Sequence, residues 1–308
     1  MKRREFLKVS SAAAATALAG PGVSGAATPG RSVLRGDEAP FRISLAGWSL
    51  HLRHFKENKL PLLDFPKVAR EEFDIDGIEL VNTMCGAPTY GRLRRLMAQA
   101  EHHKVEIVLI MVDDEGNLSA SNREDRLQAV RNHHKWIDAA SVLGCHCIRV
   151  NTGGAPNDER AIRDCADSLR RLAAYGMEGG VDIVCENHGG LSSHPASMAR
   201  LMKAADSSHV GTLPDFGNFP ANVDRYEAIA SMMPWAKAVS AKCYEFDGDG
   251  QSKVVDFPRM MDIVLDAGYS GWVGIEYEGK RLNEHDGITA AKKLLESIAA
   301  GRSPAPTP

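Results

Sequence analysis

The sequence predicts an α/β protein built as a single (β/α)8 barrel over residues 41–300. Three observations carry the prediction. Eight short β-prone runs alternate with stretches of helical periodicity, the pattern of parallel βαβ units. The alternation extends over about the 250 residues that such a barrel needs. The first run leads into Trp48-Ser49-Leu50-His51, not into the glycine-rich phosphate loop that opens a doubly wound sheet.

The β-prone runs are Phe41–Gly47, Ile75–Val81, Val105–Val112, Cys145–Asn151, Val181–Glu186, Val210–Asp215, Ala236–Cys243 and Trp272–Tyr277. In Arg123–Leu143, the residues Leu127, Val130, Ile137, Ala140 and Leu143 build an apolar stripe broken by charges, as an amphipathic helix requires. Tyr90–His103, Arg160–Met177 and Glu284–Ala300 follow the same pattern. Gly144, Gly176 and Gly268 stand where helices should stop. His102-His103 and His133-His134 fall on helical stretches far from strand ends and read as solvated faces.

Of the 308 residues, 44% are hydrophobic and 25% charged, enough apolar material for one sizeable core. A formal net charge of −3 gives no general attraction for nucleic acid, so the expected partner is a small molecule. At the N-terminus, Lys2, Arg3, Arg4, Glu5, Phe6, Leu7 and Lys8 form a twin-arginine head, followed by an Ala-rich stretch from Val9 to Ala19. Small residues at Ser24, Gly25, Ala26 and Ala27 complete the pattern of a Tat signal over 1–27, which implies the Tat export machinery and a periplasmic or secreted protein. The apolar stretch is too short for a stable membrane span. Residues 28–40 read as a linker, and 301–308, with three prolines, as a disordered tail. Barrels of this kind often associate, so a homo-oligomer is compatible with the sequence.

Six cysteines, Cys85, Cys145, Cys147, Cys165, Cys185 and Cys243, lack the spacing of a disulfide framework, and no second close pair completes a zinc site with Cys145 and Cys147. They read as core thiols.

Catalytic groups of such a barrel lie at the C-terminal ends of its strands. Seven of the eight runs end in polar side chains: Glu79 and Asn82, Asp113 and Asp114, Arg149 and Asn151, Glu186-Asn187-His188, Asp215 with Asn218, Ser240 and Lys242, and Glu276-Tyr277-Glu278. Period two places Arg149 with Asn151, Glu186 with His188, Ser240 with Lys242 and Glu276 with Glu278 on common faces. Converging carboxylates must bind a cation, hold protons or pair with Arg or Lys.

The stretches Ile183-Val184-Cys185-Glu186-Asn187-His188-Gly189-Gly190, Leu213-Pro214-Asp215-Phe216-Gly217-Asn218-Phe219, Val239-Ser240-Ala241-Lys242 and Gly274-Ile275-Glu276-Tyr277-Glu278-Gly279 resemble the xylose-isomerase-like superfamily of sugar isomerases and epimerases, in particular its exported branch. The resemblance implies one divalent metal ion (Mn, Mg, Co or Zn) on Glu186, Asp215 and Glu276, and proton transfer beside a carbonyl with Glu186 and Glu276 as the acid–base pair. The superfamily's ligating histidine falls on Ser240. His188 can turn in as the missing imidazole, Ser240 or water can fill the position, or Lys242 can act as the resident cation and as an acid or base without metal. Arg149, Asn151, His188, Asn218 and Glu79 are the expected substrate-binding groups, with Trp48 as an apolar wall for a sugar face. The expected activity is isomerisation or epimerisation of a free sugar or keto-sugar. Elimination from a 3-keto-glycoside by a lyase is one alternative, and a non-catalytic sugar-binding barrel the other. A nuclease of this fold is disfavoured by the acidic net charge.

Overall fold

The computed structural model describes residues 39–302. The signal, the linker up to residue 38 and the tail from residue 303 lie outside the described residues. Eight parallel strands form one sheet: β1 (Arg42–Ala46), β2 (Gly77–Val81), β3 (Glu106–Val112), β4 (Cys147–Val150), β5 (Asp182–Glu186), β6 (Val210–Leu213), β7 (Val239–Cys243) and β8 (Trp272–Tyr277). Their order is β6-β5-β4-β3-β2-β1-β8-β7, the sequential order of a barrel. Between β6 and β7 the ladder reduces to two isolated bridges, Thr212 with Ala236 and Asp215 with Ser240. Around the second bridge Ser240 N donates to Pro214 O at 2.9 Å and Phe216 N to Ser240 O at 3.1 Å.

Helices α1 (Phe65–Phe73), α2 (Asn82–Cys85), α3 (Tyr90–His103), α4 (Arg123–Leu143), α5 (Glu159–Met177), α6 (Pro195–Ala205), α7 (Arg225–Met232), α8 (Phe257–Asp266) and α9 (Glu284–Gly301) follow the strands. The strand-to-helix crossovers use local capping chemistry. Asn122 accepts from Glu124 N at 2.8 Å to start α4, and Gly144, at φ +80°, ends it. Gly176 does not stop a helix, because α5 continues to Met177. A Cβ there would stand 2.3 Å from Val181 O, so the glycine serves close packing of α5 on the turn into β5. α9 includes Gly301, and Arg302 donates to Asp262 and, at 2.8 Å, to Asp266, so the chain is ordered two residues into the expected tail.

Residues alternate along each strand between two apolar environments. Ile78, Leu80, Ile110, Ile148, Ile183, Cys185 and Ile275 pack outward into the helical shell. Ala46, Val81, Leu109, Met111, Cys147, Val184 and Leu213 fill the barrel, and Trp272 packs with them. All six cysteines are buried free thiols, as expected. His133 departs from the expected solvated face: it is buried, its Nδ1 is 2.7 Å from Ala129 O, and it lies in the buried stripe with Val130, Trp136 and Ile137. The i, i+3, i+4 spacing places position 133 on the sheet-facing side whatever its polarity. His134 stays outside, stacked on Tyr175 with ring centroids 3.9 Å apart.

Candidate active site

Inward positions turn from apolar to charged at the C-terminal ends of β4, β5, β7 and β8 and in the turn after β6. Glu186 ends β5, Asp215 follows β6, Ser240 and Lys242 lie on β7, and Glu276 lies on β8. Oxygen atoms of Glu186, Asp215 and Glu276 all lie within 4.8 Å of one another, and the three side chains are buried. Ser240 fits between two of them. Its Oγ donates to Asp215 Oδ2 at 2.7 Å and is 3.4 Å from Glu276 Oε2.

Two cations hold the flanks. Arg149 donates through Nη1 to Asp113 Oδ1 at 2.6 Å, and its Nε lies 2.8 Å from Glu186 Oε2. The second contact is an ion pair without directed hydrogen-bond geometry: neither atom has a satisfied bond, although both are fully buried. Lys242 Nζ bonds Glu276 Oε1 at 3.0 Å and lies 3.3 Å from Glu278 Oε2. Asp215 receives neutral donors instead, Gly217 N and Asn218 N at 2.8 Å each. Asn218 Nδ2 also donates to Glu186 Oε1 at 3.0 Å.

The electrostatics follow from burial. Burial pushes Glu186 up to about 7 against the opposing charge of Arg149, with Glu276 reinforcing the rise. Burial pushes Asp215 up to about 8, opposed by Lys242 and reinforced by Glu186 and Glu276. Burial would raise Asp113 as well, but the charge and hydrogen bond of Arg149 and the bond from Asn151 hold it below the usual carboxylate range. Burial disfavours the charge on Lys242, yet Glu276, Asp215 and Glu278 raise it above the ordinary lysine value. Burial and then Arg149 hold His188 below the ordinary imidazole range.

The remaining expected site residues occupy three places. Asn151 and His188 adjoin the Arg149 flank: Asn151 Nδ2 donates to Asp113 Oδ1 at 2.7 Å, and His188 Nδ1 is 3.1 Å from Asn151 Oδ1. His188 is thus apart from the three-carboxylate group. Trp48 adjoins the Lys242 flank, where its indole N–H donates to Glu278, its ring stacks on His51 at 5.3 Å, and Phe55 meets it edge-on at 5.9 Å. Glu79 lies deeper. It accepts from Ser44 Oγ at 2.6 Å over Gly274, where a Cβ would stand 2.3 Å from Glu79 Oε1. Burial pushes it up to about 8, Ser44 opposing and Glu276 and Glu186 reinforcing.

Two asparagines, at sequence level only polar strand ends, brace the mouth. Asn187 accepts from Asp215 N at 2.7 Å and donates to Asp215 O at 2.9 Å. Asn82 makes the same pair of bonds with the backbone of Asp113, both 2.8 Å. Asp113, in sequence one polar strand end among several, joins the site by accepting from Arg149 and Asn151. Its signal is the shared pattern of an asparagine after one strand and an aspartate after the next.

Fold and site together define a (β/α)8 barrel with a buried acidic centre at the C-terminal mouth, framed by one arginine and one lysine. The family model of the xylose isomerase-like TIM barrel matches residues 68–299, and the chain belongs to that family. No curated protein matches it in sequence. Among solved structures it is similar to a D-tagatose 3-epimerase-like protein at 18% identity and TM-score 0.66, over 85% of this chain and 99% of that one. A 3-keto-D-glucoside 4-epimerase from E. coli is similar at 16% identity and TM-score 0.64, over 77% and 94%. A xylose isomerase-like TIM barrel protein from Mycobacterium smegmatis, in complex with magnesium, is similar at 17% identity and TM-score 0.63, over 84% and 96%.

Proposed function

We propose that the protein is an epimerase or isomerase of a free sugar or keto-sugar, working by proton transfer next to a carbonyl with a divalent cation on Glu186, Asp215 and Glu276. The observation that carries the reading is the three-carboxylate group itself, buried with its oxygen atoms within 4.8 Å. The donor set fits a cation. Among the described residues Arg149 pairs with Asp113 and Glu186, and Lys242 with Glu276 and Glu278, while Asp215 has no ion-pair partner, so the centre must hold protons, as the raised Glu186 and Asp215 show, or exchange them for a bound cation. Three carboxylates and a hydroxyl are oxygen donors suited to Mg or Mn. Such a cation supplies polarisation of the substrate's carbonyl and neighbouring hydroxyl oxygens.

The chain's own residues supply the rest. Glu186 and Glu276 reach one space from β5 and β8, so one carboxylate takes the proton from the carbon beside the carbonyl and the other returns it from the opposite side. Arg149 and Asn218 fix Glu186, and Lys242 fixes Glu276. Trp48 offers a half-buried aromatic surface on the same rim. The names of similar structures, a 3-epimerase-like protein and a keto-glucoside 4-epimerase, support sugar chemistry of this type. The twin-arginine head supports an exported enzyme with a non-phosphorylated substrate.

A second reading has its own observation. Lys242 already contacts Glu276 and Glu278, at 3.0 and 3.3 Å, and as the resident cation would stabilise a developing enolate without metal. One experiment separates the two. Metal content is measured on purified wild type, Glu186→Ala and Lys242→Ala, and recovered ketoses are analysed for deuterium after incubation in D2O. About one Mg or Mn per chain, lost in Glu186→Ala, with deuterium entering beside the carbonyl, is the expected result. Deuterium exchange without bound metal after loading would move the mechanism to Lys242. No exchange into any ketose or keto-glycoside would overturn the reading.

A further inference from the structure

We infer that Asp113 and Asn151 lock His188 in the tautomer protonated at Nδ1, so that its Nε2 lone pair stands in the mouth as the acceptor for a substrate hydroxyl. The inference starts from groups whose hydrogen-bonding character is fixed. Arg149 can only donate, and its bond to Asp113 Oδ1 and charge keep Asp113 an ionised carboxylate that can only accept. Asn151 touches both. Its amide group at 2.7 Å from Asp113 Oδ1 must be the nitrogen, and its atom at 3.2 Å from Arg149 Nη1 must be the oxygen. The amide therefore cannot flip without facing an acceptor with an acceptor and a donor with a donor.

That orientation reaches His188. Its Nδ1 is 3.1 Å from Asn151 Oδ1, an atom with no hydrogen to give. Nδ1 must carry the hydrogen, and in a neutral imidazole Nε2 is then left with a lone pair. Nε2 has no partner among the described contacts, and His188 is exposed at the mouth.

The loop that carries the ring is built to hold it still. His188 N donates to Ser192 Oγ at 3.1 Å, Gly189 N to Ser193 Oγ at 2.7 Å, and Ser193 Oγ to Asn218 O at 2.8 Å. Gly190, at φ +55°, passes so close to the loop after β4 that a Cβ would stand 2.6 Å from Gly154 O. The loops after β4, β5 and β6 are thus one braced unit. An aimed acceptor on a braced loop suits a ligand with a hydroxyl at a fixed distance from its reacting carbonyl, that is, a polyhydroxy ketone or aldehyde. In this arrangement His188 contacts substrate and is not a metal ligand. Asp113 and Asn151 are positioning residues that act through it.

The hydroxyl-acceptor role rests on the proposed sugar chemistry, whereas the tautomer does not. The full chain, labelled with nitrogen-15 in its histidines, is examined by long-range proton–nitrogen NMR at neutral pH, with His188→Gln to assign the signal. Nδ1 protonated and Nε2 bare in wild type, shifting toward the other tautomer in Asn151→Ala, is the expected result. A ring protonated at Nε2 in wild type overturns the inference without needing any variant. Metal content and steady-state kinetics complete the test with the ketose found to exchange deuterium. His188→Leu should keep its metal and raise KM about ten-fold with little change in kcat, the loss of one hydrogen bond that binds substrate and transition state alike. His188→Gln, which retains an acceptor near the place of Nε2, should recover most of it. Loss of metal in His188→Leu, or an unchanged KM, overturns the acceptor role. The expected tautomer in a chain that exchanges deuterium into no ketose would fail the sugar reading and leave the tautomer lock standing.

Discussion

Asp215 shows how much a single residue at the mouth reports about the whole site. Among the described residues its carboxylate meets only neutral donors, Ser240 Oγ at 2.7 Å and two backbone amides at 2.8 Å. Burial first, then Glu186 and Glu276 against the opposing Lys242, lifts it to about 8 in the metal-free protein. The unfolded chain loses that proton near the ordinary value of about 4. The folded state therefore binds more protons between these values, and the contribution of Asp215 to stability is full below about pH 4 and declines as pH rises toward 8. In chelator, Asp215→Asn should flatten this slope and melt on the order of 5 °C above wild type at the alkaline end. Parallel melting curves for the two chains across that range would mean that Asp215 is ionised throughout. Arg149 makes the opposite case. It is buried between Asp113 and Glu186, so Arg149→Ala strands two carboxylates and should cost about 3–5 kcal/mol in urea unfolding. A loss under about 1 kcal/mol would mean the mouth already holds enough other positive charge.

At the scale of elements, the amide braces explain why the strand ends converge. Asn187 joins the end of β5 to the chain leaving β6 by two hydrogen bonds, and Asn82 does the same between β2 and β3. Asn187→Ala leaves the N–H and C=O of buried Asp215 without those partners, and a cost of about 1–3 kcal/mol is expected. Asn187→Ala should also lower metal affinity, because the brace positions a ligand, whereas Asn82→Ala should lower stability alone. Equal metal affinity in the two variants would remove the positioning role of Asn187. These braces mark the boundary of what the sequence makes legible. The placement of Glu186, Asp215, Lys242 and Glu276 at the C-terminal ends of the strands was readable because strand alternation and strand-end polarity are local. Helices α3 and α4 were readable to the residue because their apolar stripes and polar starts are local too. The partners of Asn187 and Asn82 are backbone atoms about thirty positions away, and backbone atoms leave no mark on residue identity. His133 was misplaced for a related reason: its type suggested solvent, while the helical period that actually decides the face put it inside. Gly176 looked like a stop signal, but its absent side chain makes room for Val181 O, a contact fixed only when α5 folds back onto β5.

The barrel as a whole has one weak line, and the candidate site straddles it. Seven strand pairs form regular ladders, with a single register shift between Ile78 and Glu79 on β2 against β3, but β6 and β7 meet through only two isolated bridges. A seam with few ladder bonds should open at lower free energy than the rest of the sheet, so amides of Val210–Leu213 and Val239–Cys243 should exchange with solvent faster than those of β2 or β3. The proposed ligands lie on both sides of that seam: Glu186 and Asp215 on the β5–β6 side, Glu276 on the β7–β8 side, with Ser240 reaching Asp215 across it. A cation shared by these carboxylates would tie the two sides together. Free energy gained by binding the closed form alone grows as the logarithm of ligand concentration over Kd, about 2.7 kcal/mol at one hundred times Kd. Hydrogen–deuterium exchange of the full chain with Mg or Mn, against chelator, should therefore slow the β6 and β7 amides about a hundred-fold while β2 and β3 change less. Glu186→Ala should abolish the difference. Uniform protection over all eight strands would place the cation's effect on global stability, and no protection at the seam would mean that the three carboxylates are not bridged by metal.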